Sequence, residues 1–302
     1  LSDLLISEES MRKSMFIISC LVVTFTAFPQ QKLFTVQDVH GSAKFSGKSL
    51  QGVRWMKDGK RFSFQELDTT SRAVNVWSYS VSDGKREMVA EAKALVLNAG
   101  DPPFRFTTYQ WSPDEEEILF VSAPPEKQYL SRLTPGGNFF LYEVASKTFR
   151  RLTNVSEAQY NQKLSPDGKW LGFVRGNNIH LINLASWQES QLTSDGLQHI
   201  INGKFDWVYE EEFGISDGWQ WSPDGKMIAF WRLDENRVPE FKLMDFMDIR
   251  ADATPMRYPK AGDANSIVKV GVVALDTKKT VWMDLGTDDD MYIPRMQWSH
   301  RP

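Results

Sequence analysis

Five copies of one short pattern restrict what this chain can fold into. They read VRWMKDGKRFSF from Val53, YQWSPDEEEILF from Tyr109, QKLSPDGKWLGF from Gln162, WQWSPDGKMIAF from Trp219 and MQWSH from Met296. Aligned on Trp55, Trp111, Leu164, Trp221 and Trp298, the copies recur at intervals of 56, 53, 57 and 77 residues. The full copies are each an apolar strand, a tight turn and a second apolar strand. In Ser-Pro-Asp-Gly, Pro presets the turn's φ, Asp bonds back to the backbone and Gly accepts a positive φ. A third strand follows, as in NVWSYSVSDGK from Asn75, NFFLYEVASKT from Asn138, NIHLINLASWQ from Asn178 and VKVGVVALDTKK from Val268. Their period-two alternation marks strands with unlike faces. A four-stranded unit repeating about every fifty residues is the sequence signature of a β-propeller blade. The expected fold is therefore all-β, with about four blades and the start of a fifth.

A propeller hides its strand edges by closing on itself. The last copy starts at Met296 and the sequence stops at Pro302. This predicts that residues 32–302 are the incomplete N-terminal propeller of a longer protein. Composition narrows the function classes. Across 302 residues the formal net charge is −4 and no basic block occurs, which argues against a nucleic-acid partner. Aromatics make up 13% of the chain, including 11 Trp, as suits a sheet-rich protein.

Residues 1–31 read differently. From Met11 the chain runs MRKSMFIISCLVVTFTAFPQQK, two cations followed by a short apolar core and a polar exit. That is the pattern of a secretory signal peptide near residues 11–29, with Met11 as the start and residues 1–10 upstream of it. The core is short for a membrane span, and it runs past Cys20, which argues against a lipoprotein cleavage box at that residue. Cys20 is the sole cysteine, so the mature chain would hold no disulfide, and a bacterial periplasm is the expected compartment.

Residues 206–213, DWVYEEEF, carry the densest chemistry. Glu210, Glu211 and Glu212 follow directly on Phe205, Trp207 and Tyr209. By itself an acidic run is a solvated turn more often than a site. Carboxylates held against large rings, however, lose hydration unless a cation compensates them. Asp206 is placed to cap a short helix, and acids in its first turn are favoured by the helix dipole.

Taken with WQWSPDGKMIAFWRLDENRVPEF and with RYPKAGDAN at Arg257–Asn265, this segment resembles the N-terminal propeller of the dipeptidyl peptidase IV family, in the prolyl oligopeptidase group of serine peptidases. The resemblance runs from Leu33 to Trp298. It implies an eight-bladed propeller that caps an α/β-hydrolase domain and narrows access to its serine. It also implies a helical insertion whose two glutamates bind the free N-terminus of a peptide. Carried over by motif position, that pair is Glu211 and Glu212, with Asp206, Trp207, Tyr209 and Glu210 as the supporting motif. Counting back from the FFLY strand places the family's carbonyl-binding arginine at Arg132, across a divergent LTPGGN. Ile215 stands where the family often has serine. The implied activity is release of N-terminal X-Pro or X-Ala dipeptides, and family members commonly form homodimers.

The catalytic triad is expected in an absent C-terminal domain: the one G-x-S-x-G string, Gly214–Gly218, follows the acidic motif directly and does not read as a strand-to-helix nucleophile elbow. His40, His180, His199 and His300 lie in unrelated contexts, and His180 reads as a structural strand residue. No metal-ligand spacing and no phosphate loop appear, so neither metal nor cofactor is expected. Asp288-Asp289-Asp290 reads as a solvated loop rather than a calcium site. Two rivals stand beside the exopeptidase reading. One is a non-catalytic propeller that binds peptides or organises an assembly. The other is an endopeptidase relative, against which the glutamate pair argues.

Overall fold

The computed structural model describes residues 33–41, 47, 49–124, 135–246 and 252–299. The chain divides into two compact units, Leu1–Ser49 and Leu50–Pro302. In the first, a helix spans Val36–His40 behind a capping box. Thr35 Oγ1 accepts from the Asp38 N–H at 3.1 Å, and the Asp38 carboxylate accepts from the Thr35 N–H at 3.1 Å. The expected signal segment at 11–29 lies outside the described residues.

Among the described residues, the second unit contains four blade-like antiparallel sheets and a two-stranded arm. The first sheet contains β1 (Gln51–Trp55), β2 (Arg61–Asp68), β3 (Ala73–Ser80) and β4 (Arg86–Ala90) in chain order. The second contains β5 (Phe106–Trp111), β6 (Glu117–Ser122), β7 (Phe139–Glu143) and β8 (Thr148–Arg151). The third contains β9 (Tyr160–Leu164), β10 (Trp170–Arg175), β11 (Asn178–Asn183) and β12 (Glu189–Gln191). In the fourth, β13 (Ile200–Asn202) and β14 (Trp219–Trp221) both pair with β15 (Met227–Asp234). A two-stranded arm, β16 (Glu240–Asp245) and β17 (Asp252–Arg257), departs before β18 (Ile267–Ala274) and β19 (Thr280–Trp282) complete that sheet.

The repeat's turns are closed by their own side chains, which is why they were readable locally. Ser112, Ser165 and Ser222 each donate a hydroxyl to the Asp two residues on, at 2.5–2.6 Å. The same three oxygens accept the N–H five residues on, at 2.9–3.0 Å. All three serines are buried, so this pairing satisfies polar atoms that water cannot reach.

Sheets pack face to face through apolar layers. Val76, Leu95, Tyr109 and Phe120 fill the first interface, Leu119, Phe139, Leu171 and Phe173 the second, and Val174, Leu181, Trp219 and Phe230 the third. First strands of neighbouring sheets are also joined directly. Trp219 Nε1 donates to the Asn161 carbonyl at 3.0 Å and Trp221 Nε1 to the Lys163 carbonyl at 3.2 Å, linking β14 to β9. The strands at the opposite edges, β4, β8, β12 and β19, are largely exposed. The link from β14 to β9 is the contact expected between first strands of neighbouring propeller blades. Residues 291–299 have no β partner among the described residues, but Gln220 Nε2 donates to the Met296 carbonyl at 3.0 Å. Met296 thus lies where a following blade's first strand is expected.

Candidate functional site

The acidic motif sits in a break in an inner strand. β13 pairs with Asp234–Arg232 and β14 with Phe230–Ile228, so of β15 only Trp231 faces the gap. Its backbone closes that gap: the Trp231 carbonyl accepts from Gly203 N–H and its N–H donates to the Gly218 carbonyl, both at 3.0 Å. Residues 203–218 leave and rejoin the sheet between those contacts. The two limbs run so close that a Cβ on Gly218 would lie 2.6 Å from the Gly203 carbonyl carbon, which no larger residue tolerates. Asn161 on β9 clamps both limbs, with Nδ2 donating to the carbonyls of Gly203 at 3.0 Å and Ser216 at 2.9 Å. Lys163 holds the returning limb through Asp217 and the Trp219 carbonyl, with its ammonium 3.9 Å from the Trp219 ring centre. The insertion thus leaves and rejoins the fourth sheet at the edge formed by β13 and β14.

At the crest of this excursion is a helix, Trp207–Glu211. Asp206 is its N-cap, with Oδ1 accepting from Tyr209 N–H at 3.0 Å and Oδ2 from the Ser266 hydroxyl at 2.6 Å. Burial raises the Asp206 carboxyl above its ordinary range against those two hydrogen bonds. The aromatic residues act as a bed. Phe205 stacks on Tyr209 at 5.1 Å, and Phe205 meets Trp231 at 5.2 Å. Tyr209 meets Phe213 at 5.2 Å. The Tyr209 hydroxyl accepts from Ile293 N–H at 2.9 Å, and burial pushes its ionisation up to about 12. Trp207 packs edge-on against Tyr258 at 4.4 Å. Trp207–Tyr258 therefore brings the two motifs DWVYEEEF and RYPKAGDAN into contact, and Asp206–Ser266 ties the first to the residue that follows the second.

The three glutamates differ sharply in exposure: Glu210 is 5% exposed, Glu211 half-buried and Glu212 exposed. The two assigned to a peptide's N-terminus are thus the accessible ones, while Glu210 faces inward. Ile215 packs against the aromatic bed, and its N–H donates to the Tyr209 carbonyl at 3.2 Å, so it contributes closure of the turn. Arg132 lies outside the described residues. A cavity of about 330 Å³ adjoins the returning limb, between Thr107, Thr108, Gly136, Asn161 and Asp217. A larger one, about 660 Å³, lies instead between the Asp167 and Asp224 turns. Those carboxylates already serve their own turns, and the smaller cavity meets the insertion only through Ser216 and Asp217 on its returning limb.

A group of charges behind the helix was not visible in the sequence. Glu235, just past β15, is 9% exposed, and its N–H donates to the His199 carbonyl at 2.9 Å. Burial, with the Asp206 charge adding to it, pushes its carboxyl up to about 7. Lys204, on the outgoing limb, lies 4.6 Å over the Tyr160 ring. Burial pulls its ammonium down to about 8, against the pull of Glu210 and Glu235. Arg257, at the end of β17, donates Nη1 to the Val238 carbonyl at 2.7 Å and sets Nη2 3.2 Å from His199 Nε2. A single Lys in NGKFDW and a Glu in LDEN each read as loop residues. Only the fold brings them together.

The other sequence candidates find structural roles. His180 lies on β11, stacked on Phe173 at 5.6 Å, and shares Glu189 with Arg175. Asp289 is paired with Arg237 at 3.1 Å, with Asp290 at 4.0 Å from the same guanidinium. Among the described residues no His, Cys, Asp and Glu group could hold a metal ion, and no helix is long and apolar enough to cross a membrane.

Comparison with known proteins gives one consistent answer. Residues 112–301 match the family described as dipeptidyl peptidase IV (DPP IV) N-terminal region. A probable dipeptidyl-aminopeptidase B of Talaromyces marneffei is 32% identical over 207 residues, covering 62% of this chain and 23% of that protein. A second, from Phaeosphaeria nodorum, is 30% identical over 241 residues, covering 72% and 26%. The crystal structure of Porphyromonas gingivalis dipeptidyl peptidase 4 superposes with a TM-score of 0.75 at 29% identity, covering 88% of this chain and 37% of that one. The chain thus spans about a quarter of the length of these curated relatives.

Proposed function

Because this chain belongs to the dipeptidyl peptidase IV N-terminal region family, we propose that it is the propeller portion of an exported dipeptidyl peptidase, in which it admits peptides and holds their free N-terminus. Glu211 and Glu212 are the ammonium acceptors in this reading, and Arg132 holds the peptide carbonyl. A primary ammonium carries three donors and needs several acceptors. Neighbouring helical residues point about 100° apart, so two carboxylates approach one cation from different sides. The distance from that cation to a serine in an associated α/β-hydrolase domain then selects the bond after the second residue, as in X-Pro and X-Ala substrates. Hydrolysis itself is the work of that domain.

One observation carries the reading: a capped helix, rooted in a broken inner strand, buries the first of three glutamates and leaves the next two accessible. An internal chamber lined this way rejects blocked or extended N-termini, which leave its carboxylates unpaired. The test compares an X-Pro anilide bearing a free amine with its N-acetylated form, using this chain joined to its hydrolase domain. Acetylation is expected to lower kcat/KM by about 10²-fold or more. Equal rates would refute the assignment and favour a gating module with no role in N-terminus recognition.

A further inference from the structure

We infer that Asn161 is a positioning residue for peptide binding: seated in a β-bulge of the third sheet, its side-chain amide pins both roots of the glutamate-bearing insertion in the fourth. This rests on the reading that Glu211 and Glu212 bind an ammonium, and names the residue outside the motif that sets where they stand.

The backbone comes first. Where β9 pairs with β10, Lys163 faces Gly172 and Tyr160 faces Val174, so Asn161 and Gln162 together oppose Phe173. Two residues against one make a β-bulge, a device that re-aims a side chain. Asn161 takes φ +52°, in the left-handed region, which Asn tolerates better than most residues and Gly adopts freely. The first sheet has a matching bulge. There Gly52 and Val53 oppose Phe64, and Gly52 takes φ +59°. Gly52 and Asn161 hold the same place in the repeat, three residues before the aligned Trp55 and Leu164. Glycine therefore meets the demands of the backbone, and the amide of the third sheet has another reason to be there.

That reason is the neighbouring strand. The sheet after Gly52 begins with the continuous β5, whereas the sheet after Asn161 begins with a strand split into β13 and β14. The Asn161 amide carries two hydrogens, and both go to the insertion. Nδ2 donates to the Gly203 carbonyl at 3.0 Å, where the chain leaves the sheet, and to the Ser216 carbonyl at 2.9 Å, where it returns. The Asn161 carbonyl accepts from Nε1 of the fully buried Trp219 at 3.0 Å. Lys163 adds a hold on the returning limb through Asp217, and Asn161 bridges the two limbs. Between these roots stands a helix of five residues, too short to fix its own direction. Its direction is inherited from the roots, so a shift there is carried to Glu211 and Glu212. Misplacement by about 1 Å costs up to about 10²-fold in rate.

The experiment uses this chain joined to its hydrolase domain, with an X-Pro anilide bearing a free amine and its N-acetylated form as substrates. Asn161→Gly keeps the bulge, as Gly52 does, and removes the amide. Asn161→Asp keeps the shape and sets a carboxylate against two carbonyls. Glu211→Gln is the reference for the ammonium site, and Tm and amide exchange across residues 203–218 are recorded for each variant. Asn161→Gly should unfold at the parent's Tm. Its free-amine kcat/KM should fall about tenfold, mainly through KM, and amides in 203–218 should exchange about tenfold faster. The acetylated substrate should keep its own lower rate, which a general loss of structure would not spare. Asn161→Asp should lose at least as much on the free amine. Free-amine kcat/KM within about twofold of the parent in Asn161→Gly overturns the proposal. So does an equal loss on both substrates with a lowered Tm, which marks a packing role. If Glu211→Gln lowers the free-amine rate and Asn161→Gly does not, this inference alone fails. If neither lowers it, the ammonium reading fails as well.

Discussion

The Ser266 hydroxyl donates a 2.6 Å hydrogen bond to Asp206 across 60 residues of sequence, tying the start of the glutamate helix to the entrance of β18. The bond is buried, and the helix is five residues long, too short to hold itself together in water. Its orientation is therefore imposed by anchors, of which this is one, the Asp206 cap another and the Tyr209–Ile293 bond a third.

Removing the anchor should affect both stability and binding. Ser266→Ala leaves a buried carboxylate short of a donor, which costs about 1–3 kcal/mol. The expected results are a lowered Tm by near-ultraviolet dichroism and a raised KM for free-amine substrates. Asp206→Ala should cost as much again, since it removes the cap as well. A Ser266→Ala protein with an unchanged Tm would show that the helix is held by its aromatic bed alone.

A second prediction concerns the joint between the third and fourth sheets. Gly172 on β10 lies under the next sheet's tryptophans, and a Cβ there would come within 2.6 Å of the Trp219 ring. Trp219 is fully buried and its Nε1 is committed to Asn161, so the ring cannot step aside. Gly172→Ala is expected to destabilise the chain by about 1–3 kcal/mol through overpacking. Denaturant titration followed by tryptophan fluorescence measures this, and a midpoint equal to the parent's would contradict it.

The third follows from the charges behind the helix. Glu235 is raised from 4.5 to about 7 in the folded state. Between those values the folded protein binds more protons than the unfolded one, so this group makes stability fall as pH rises through that window. Lys204 is lowered from 10.5 to about 8, so between about 8 and 10.5 the unfolded state binds more protons and stability from this group rises with pH. Glu235→Gln removes the first slope. It should equal the parent near pH 4.5 and exceed it by about 1–3 kcal/mol at pH 7.5. Parallel curves for the two proteins across that range would disprove the shift.

How much of this could be read without coordinates depends on the range over which each feature is determined. The Ser-Pro-Asp-Gly turns were legible because Ser112, Ser165 and Ser222 close them with atoms two to five residues away. The Asp206 cap was legible for the same reason. The division of one inner strand into β13 and β14 was not, because it exists only through pairing with β15, some thirty residues from Ile200. The β16–β17 arm passed unnoticed since its apolar residues, such as Phe241 and Met244, look like any strand while standing exposed. Lys204 and Glu235 escaped because a charge's burial is a property of what packs on it. DWVYEEEF and RYPKAGDAN are each distinctive in the sequence, but nothing local to either shows that Trp207 packs on Tyr258.

The most direct measurement of the central claim is the effect of Glu211→Gln and Glu212→Gln on kcat/KM for a free-amine X-Pro anilide, in this chain joined to its hydrolase domain. Each amide keeps the shape and removes the charge. The account predicts a loss of about 10²-fold or more for each with the fold intact. Activity within twofold of the parent in both variants would contradict it.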